Sequence, residues 1–430
     1  MLVIPTVTES MTKIREGSLS PVELVEACLA RIRAVDGALR AWVHVDERGA
    51  LAVARERLEE ARAGKLRGPL HGIPVGVKDI FHVAGMPTTA GAGPFAHETP
   101  AQDAPAVGRL RTAGAVILGK TATTEFAYMD PAETRNPWKL EHTPGGSSSG
   151  SAVAVATGMV PLALGTQTVG SVLRPAAYCG VVGIKPTHGL VPAEGVIPLA
   201  WSLDHVGCFA RSVPEAAQVL GLLAARVLHA VPAPPTVGVP ARWVERATPE
   251  VVAHVRAVAE QLRKAGARVE EMALPPALDH LEEAGRTVMR VEAALYHTGR
   301  FGADLSHHRQ GIAELIRSGL AVPGVDYVRA NRVRLACRDA MTPVFGRYGV
   351  LLTPVAPAPA PLGLASTGDP RFCAPWSFIG VPAISLPSGI AATGLPLAVQ
   401  LVAGREREAE LLGAAAWCEG VLGFTARPSV

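Results

Sequence analysis

Three stretches of this chain carry residue types that could act on one another. They are Leu70-His71-Gly72-Ile73-Pro74-Val75-Gly76-Val77-Lys78-Asp79, the loop Thr143-Pro144-Gly145-Gly146-Ser147-Ser148-Ser149-Gly150, and Gly165-Thr166-Gln167-Thr168-Val169-Gly170-Ser171-Val172-Leu173-Arg174-Pro175. Lys78 ends an apolar run. A strand there is buried on both faces and delivers the amine beneath a shielded site, although a lone lysine is more often a snorkelling side chain with an exposed tip. Ser171 follows a strand and a glycine-containing turn and precedes a short helical segment. Backbone N–H groups in such a turn can converge on an anion, as an oxyanion hole requires. The plain alternative is an N-cap serine.

The serine loop has other readings. By composition it could be a flexible linker, but a linker between two buried elements would be wasteful. A phosphate cradle of the Walker type needs a lysine that does not follow. Gly146 to Gly150 fits the G-x-S-x-G elbow around Ser148, but an elbow needs a strand before it, and Asn136 to His142 is polar and contains proline. Ser10-x-x-Lys13 matches a serine/lysine pattern of only two fixed positions, with no supporting Lys-Thr-Gly later in the chain, and reads as a coincidence.

The elements that must position these residues follow from pattern. Ser20, Pro21 and Glu23 form a capping box ahead of Leu24, Cys28, Leu29 and Ile32 at helical spacing. A second helix is expected from Glu47 to Arg62. Ile73 to Val77, Val116 to Leu118, Leu162 to Leu164 and Val181 to Ile184 are short apolar runs that suit buried strands, alternating with helices at Pro105 to Thr112 and Ala152 to Thr157. That alternation predicts an α/β layered core. Residues 214–345 read as mostly helical, with Pro249 to Ala265 and Val328 to Met341 the strongest cases. Val350 to Thr353, Ala383 to Leu386 and Leu397 to Val402 return to strand character, and Glu406 to Leu422 closes as a helix. Inner strands thus come from both ends of the chain, which predicts one interleaved domain over residues 1–430. Pro354 to Pro361 reads as a stiff surface connector.

Composition bounds the function. The 430 residues are 48% hydrophobic and 18% charged with a net charge of +3, which excludes a disordered chain. No Lys/Arg run forms the electrostatic footprint of a nucleic-acid binder. Two long charge-free runs, His142 to Leu173 and Phe372 to Gly404, are interrupted by proline and glycine, so neither reads as a membrane span. The six cysteines are widely spaced without CxxC and read as reduced thiols of a cytoplasmic protein, and the start of the chain lacks the features of a secretory leader. Scattered histidines without HExxH-type spacing imply no metal, and no organic cofactor is implied either.

Taken together, the three stretches resemble the amidase signature family in order and spacing, and the resemblance covers almost the whole chain. It includes Pro87-Thr88-Thr89-Ala90-Gly91, Thr134-Arg135-Asn136-Pro137-Trp138, Tyr178-Cys179-Gly180-Val181-Val182-Gly183-Ile184-Lys185-Pro186, Ser202-Leu203-Asp204 and Gly394-Leu395-Pro396. The resemblance implies an α/β fold of one large domain, a mixed twisted central β-sheet covered by helices on both faces, with the signature core within residues 60–210. It implies a Ser–Ser–Lys triad: Ser171 as nucleophile, Lys78 as base and Ser147, after a cis peptide bond, as the relay. The backbone N–H groups of Thr168, Val169, Gly170 and Ser171 would form the oxyanion hole.

Many family members read Asp-Thr-Gly-Gly-Ser-Ile-Arg where this chain has Gln167, Val169 and Leu173, with the arginine one place later at Arg174. That combination resembles the malonamidase branch, in which this arginine binds a substrate carboxylate. Arg174 could hold a carboxylate bidentately or, with equal weight, cap a helix or pair with a structural acid. Val169 in place of glycine raises a question about the turn's geometry. The expected function is a stand-alone amidohydrolase releasing ammonia from a small, malonamate-like acid-amide. The alternative is the glutamine-hydrolysing component of an aminoacyl-tRNA amidotransferase, and a non-catalytic binding protein is a third. The partner expected is a small-molecule amide, with no nucleic acid and no membrane; the resemblance adds a homodimer.

Overall fold

Among the described residues, short apolar runs pair edge to edge into an 11-stranded sheet. The computed structural model describes residues 4–93 and 97–430. The strands are β1 (Trp42–Val45), β2 (Pro74–Lys78), β3 (Val116–Thr121), β4 (Leu162–Gln167), β5 (Val182–Lys185), β6 (His205–Ala210), β7 (Thr236–Pro240), β8 (Arg268–Met272), β9 (Val350–Pro354), β10 (Ala383–Ile390) and β11 (Pro396–Val402). Their order across the sheet is β1-β3-β2-β4-β6-β5-β10-β11-β9-β7-β8. Strands from the two ends of the chain meet where β5 pairs with β10, so the interleaved α/β domain expected from sequence is what forms.

The sheet is mixed. β3, β2 and β4 run parallel, and β4, β6, β5, β10, β11 and β9 alternate in direction. β2 to β6 are buried along their whole length, which requires cover on both faces. Helices supply that cover: Ser149–Ala156 packs on β4, β2 and β3, and Leu173–Cys179 on β10, β11 and β5. The capping box of Pro21–Leu39 forms as expected, and Glu47–Arg62 is a helix over the expected span. The two charge-free runs break up as their prolines and glycines require, and among the described residues no helix is long and apolar enough to cross a membrane.

Two expectations need correction. Pro354 to Pro361 is no surface connector: none of these residues is exposed, and Ala356 and Ala360 pack in a small cluster with Tyr178 and Leu395. Its Ala and Pro side chains are apolar enough to be buried. The helix begun near Val328 is longer than expected, Gly324–Arg347, and continues through Pro343. All six cysteines are buried free thiols, so none is paired.

Candidate active site

β2 and β4 are parallel neighbours, with Val77 opposite Leu164. Their carboxyl ends therefore open on one edge, the side where sheets of this class place their chemistry. Lys78 is the last residue of β2, and Thr166 and Gln167 end β4. Lys78 is completely buried, and its Nζ lies 2.7 Å from Ser147 Oγ and 2.8 Å from Thr166 Oγ1. Among the described residues no carboxylate pairs with it. Burial lowers its pKa from the ordinary lysine value to about 7, against a smaller opposing pull from Asp204.

Ser147 follows a cis peptide bond after Gly146, as the resemblance implied. The loop is stitched down by its other serines. Ser149 Oγ donates to Gly145 O at 2.7 Å, Ser148 Oγ bonds Thr166 O at 3.2 Å, and Ser151 Oγ donates to Leu164 O at 2.8 Å. Gly145 has φ +81, and a Cβ there would come within 2.9 Å of the Pro175 backbone, so this turn requires glycine. The peptide N–H of Ser148 donates to Ser171 O at 3.3 Å, tying the two serine turns together. Ser148 itself is fully buried, and no strand leads directly into the loop, so it is no nucleophile elbow.

Ser171 sits in the turn between β4 and the helix Leu173–Cys179, and at 7% it is more exposed than Lys78 (0%) or Ser147 (1%). No hydrogen bond joins its hydroxyl to that of Ser147 in this structure. Around it, the N–H groups of Thr168, Val169, Gly170 and Ser171 donate to no described residue, whereas those of Val172 and Leu173 both donate to Gln167 Oε1 at 2.9 Å. Gln167 thus takes the helix-capping place. Neither Val169 nor Gly170 has a left-handed φ, which is why valine fits where relatives carry glycine. Thr168 Oγ1 donates to Asp204 Oδ1 at 2.5 Å, and the other oxygen of that carboxylate accepts the N–H groups of Leu199 and Ala200. Burial raises the Asp204 pKa to about 6.

Arg174 is buried beside this turn. Its Nη2 donates to Gly146 O at 2.8 Å and to Thr367 Oγ1 at 2.9 Å, while Nε and Nη1 have no partner among the described residues. Nη1 faces Gly170, 3.6 Å from where a side chain on that glycine would start. Arg174 makes no salt bridge with a described acid, so it is not paired with a structural carboxylate. Burial lowers its pKa.

The structure therefore brings Lys78, Ser147, the turn from Thr168 to Ser171 and Arg174 together at one strand edge, and leaves Ser10 and Lys13 apart. Sequence reading missed Thr166, Ser377 and Thr367. Thr166 carried a signal, since a strand ending beside Lys78 must present something to it. Ser377 and Thr367 reach the site from some 200 residues away and carried none. Ser10 lies buried in the helix Val7–Glu16, far along the chain from this edge, and Lys13 is exposed. Among the described residues no cluster of His, Cys, Asp or Glu could hold a metal ion.

Fold and comparisons together define a hydrolase that acts on amide C–N bonds through a single α/β domain. The chain belongs to the Amidase family, whose profile matches residues 23–412. It is 35% identical to the A subunit of the glutamyl-tRNA(Gln) amidotransferase of Chloroflexus aggregans, over 95% of this chain and 94% of that one. Among solved structures it is similar to an amidase (TM-score 0.89, 35% identity, covering 97% of this chain and 99% of that one). It is also similar to a peptide amidase crystallised with the competitive inhibitor chymostatin (TM-score 0.86, 30% identity, 99% of each chain).

Proposed function

We propose that Ser171 is the nucleophile, Lys78 the base and Ser147 the relay between them in hydrolysis of a primary amide to acid and ammonia. The observation that carries this reading is the 2.7 Å contact between Ser147 and a buried Lys78 whose pKa lies near 7. A free lysine near ~10.4 is neutral in only about one molecule in 2,500 at pH 7, whereas one near 7 is neutral in roughly half. Neutral Lys78 donates one N–H to Thr166 and offers its lone pair to the Ser147 proton. Ser147 in turn takes the proton of Ser171 as that oxygen attacks the amide carbonyl. The Ser147–Ser171 link tightens when substrate arrives, as catalytic hydrogen bonds commonly do. The N–H groups of residues 168–171 receive the oxyanion. The relay run backwards protonates the departing nitrogen as ammonia, and water then cleaves the Ser171 ester by the same route.

The two unpartnered nitrogens of Arg174 support a substrate that carries a carboxylate as well as the amide. Malonamate-like acids and glutamine both fit that description. Similarity to the glutamyl-tRNA(Gln) amidotransferase relatives favours glutamine, with its ammonia passed to a partner, over the malonamate-like reading. Ammonia release from L-glutamine, malonamate and simple neutral amides separates these substrates, and copurification with a companion protein supports the amidotransferase role. Ser171→Ala should lose turnover on all of them. Undiminished release by that variant would reject the triad.

A further inference from the structure

The oxyanion turn has to be aimed as well as exposed. A trans peptide is planar with its C=O and N–H pointing in opposite directions, so whatever pins a carbonyl also aims the next residue's N–H. Three peptides of the turn are pinned in this way. Gln167 O lies 3.0 Å from His205 Nδ1, and Gly170 O accepts the helical N–H of Arg174 at 3.0 Å. Val169 O, between them, is held by a side chain from a distant part of the chain: Ser377 Oγ donates to it at 2.9 Å.

Ser377 has one proton and two candidate acceptors, Val169 O at 2.9 Å and Cys373 O at 3.4 Å. Gln167 decides between them. Its Oε1 already accepts the N–H groups of Val172 and Leu173, so the amide cannot flip. Its Nε2 is thereby directed at Ser377 Oγ, 2.9 Å away. Donation from Gln167 fills an acceptor site on that oxygen and turns its proton towards Val169. Gln167 and Ser377 are both buried.

We infer that Ser377, oriented by Gln167, is a positioning residue that turns the Val169–Gly170 peptide so that the Gly170 N–H faces the carbonyl attacked by Ser171. This deepens the proposed reaction and rests on it. Neither side chain touches substrate. Both act through the backbone, so their removal should lower kcat and leave KM nearly unchanged.

Ser377→Ala and Gln167→Glu test this in the full chain. Losing an aimed oxyanion donor costs up to 10²–10³ in kcat, and a donor merely left to wander should cost roughly 10- to 100-fold. Ser377→Ala is expected to show that fall with KM within about twofold. Ser377→Thr, which keeps the hydroxyl, should recover most of it. Gln167→Glu adds a signature that a merely structural role would not give. Its carboxylate accepts from both N–H groups and from Ser377 as well, which releases Val169 O, whereas its protonated form donates to Ser377 as glutamine does. Its kcat should therefore fall as pH rises through the ionisation of that carboxyl, a limb absent from the parent enzyme. A Ser377→Ala enzyme with kcat within twofold of the parent overturns the inference, as does a change confined to KM. If Ser377→Ala does not fold, the Gln167→Glu pH profile decides, and a profile parallel to the parent's rejects the inference. Failure of the underlying reaction looks different: the parent releases no ammonia, or Ser171→Ala still does.

Discussion

The carboxylate of Asp79 lies 2.9 Å from Nζ of Lys120, and neither side chain has any exposure. Thr89 completes the arrangement, donating its N–H at 3.1 Å and its hydroxyl at 2.5 Å to the other carboxylate oxygen. Asp79 directly follows Lys78, and strand alternation turns it to the opposite side. Had it faced Lys78, the amine would stay charged and useless as a base. The neighbouring strand β3 thus supplies a separate cation to occupy the acid. Lys120→Met should leave a buried carboxylate unpaired and cost about 3–5 kcal/mol in chemical denaturation at pH 7. Adding Asp79→Asn should recover much of that loss. A Lys120→Met penalty below about 1 kcal/mol would show that the pair is not a buried ion pair.

Activity should follow the protonation of Lys78. Its pKa is lowered to about 7 by burial, so kcat/KM on a small neutral amide should climb through pH 7 and level off about two units higher, where the amine is free. Inactivation of Ser171 by a fluorophosphonate requires the same activated oxygen and should trace the same curve. A midpoint above about 9 in both profiles means that the lysine keeps its ordinary basicity, and the relay cannot work as described.

Arg174 should discriminate among substrates more than it drives the chemistry. Charge-assisted hydrogen bonds contribute roughly 1.5–3 kcal/mol, or about 10- to 100-fold. Arg174→Met should raise KM by that factor for an amide bearing a carboxylate and leave a neutral amide nearly unaffected. Equal losses on both would assign Arg174 to holding Gly146 and Thr367 in place. Steady-state kinetics on the two substrates settles the matter.

How much of this was legible in the sequence depends on range. The strand-ending lysines Lys78, Lys120 and Lys185 look alike as text: each ends or nearly ends an apolar run. Their partners separate them. Lys120 meets Asp79, Lys185 bonds the carbonyls of Pro186 and Val381, and Lys78 meets hydroxyls. Periodicity finds such strands because it is local, and it was the family resemblance that pointed to Ser147 and Ser171. Pairings such as Gln167 with Ser377 span 210 residues, and no local pattern encodes them. The burial of Pro354 to Pro361 was missed for the same reason, since a Pro/Ala stretch looks identical at the surface and against Tyr178.

The stability of the protein should carry the imprint of Lys78 even when no substrate is present. The folded state holds this amine near pKa 7, while the unfolded chain releases it near ~10.4. Below pH 7 both states are protonated, and folding bears the full cost of burying a charged amine. Between about 7 and 10.4 the unfolded state binds more protons, so stability rises with pH across that window. Lys78→Met removes the titration and leaves the Ser147 and Thr166 hydroxyls without this partner, a penalty that does not depend on pH. The melting temperature of the variant relative to the parent should therefore be most favourable below pH 7 and decline steadily towards pH 10. Lys185, also pushed down to about 7 by burial, contributes equally to both proteins and cancels in the difference. A difference that stays flat from pH 6 to 10 would mean that Lys78 titrates alike in the folded and unfolded chain, and the proposed base would be an ordinary lysine.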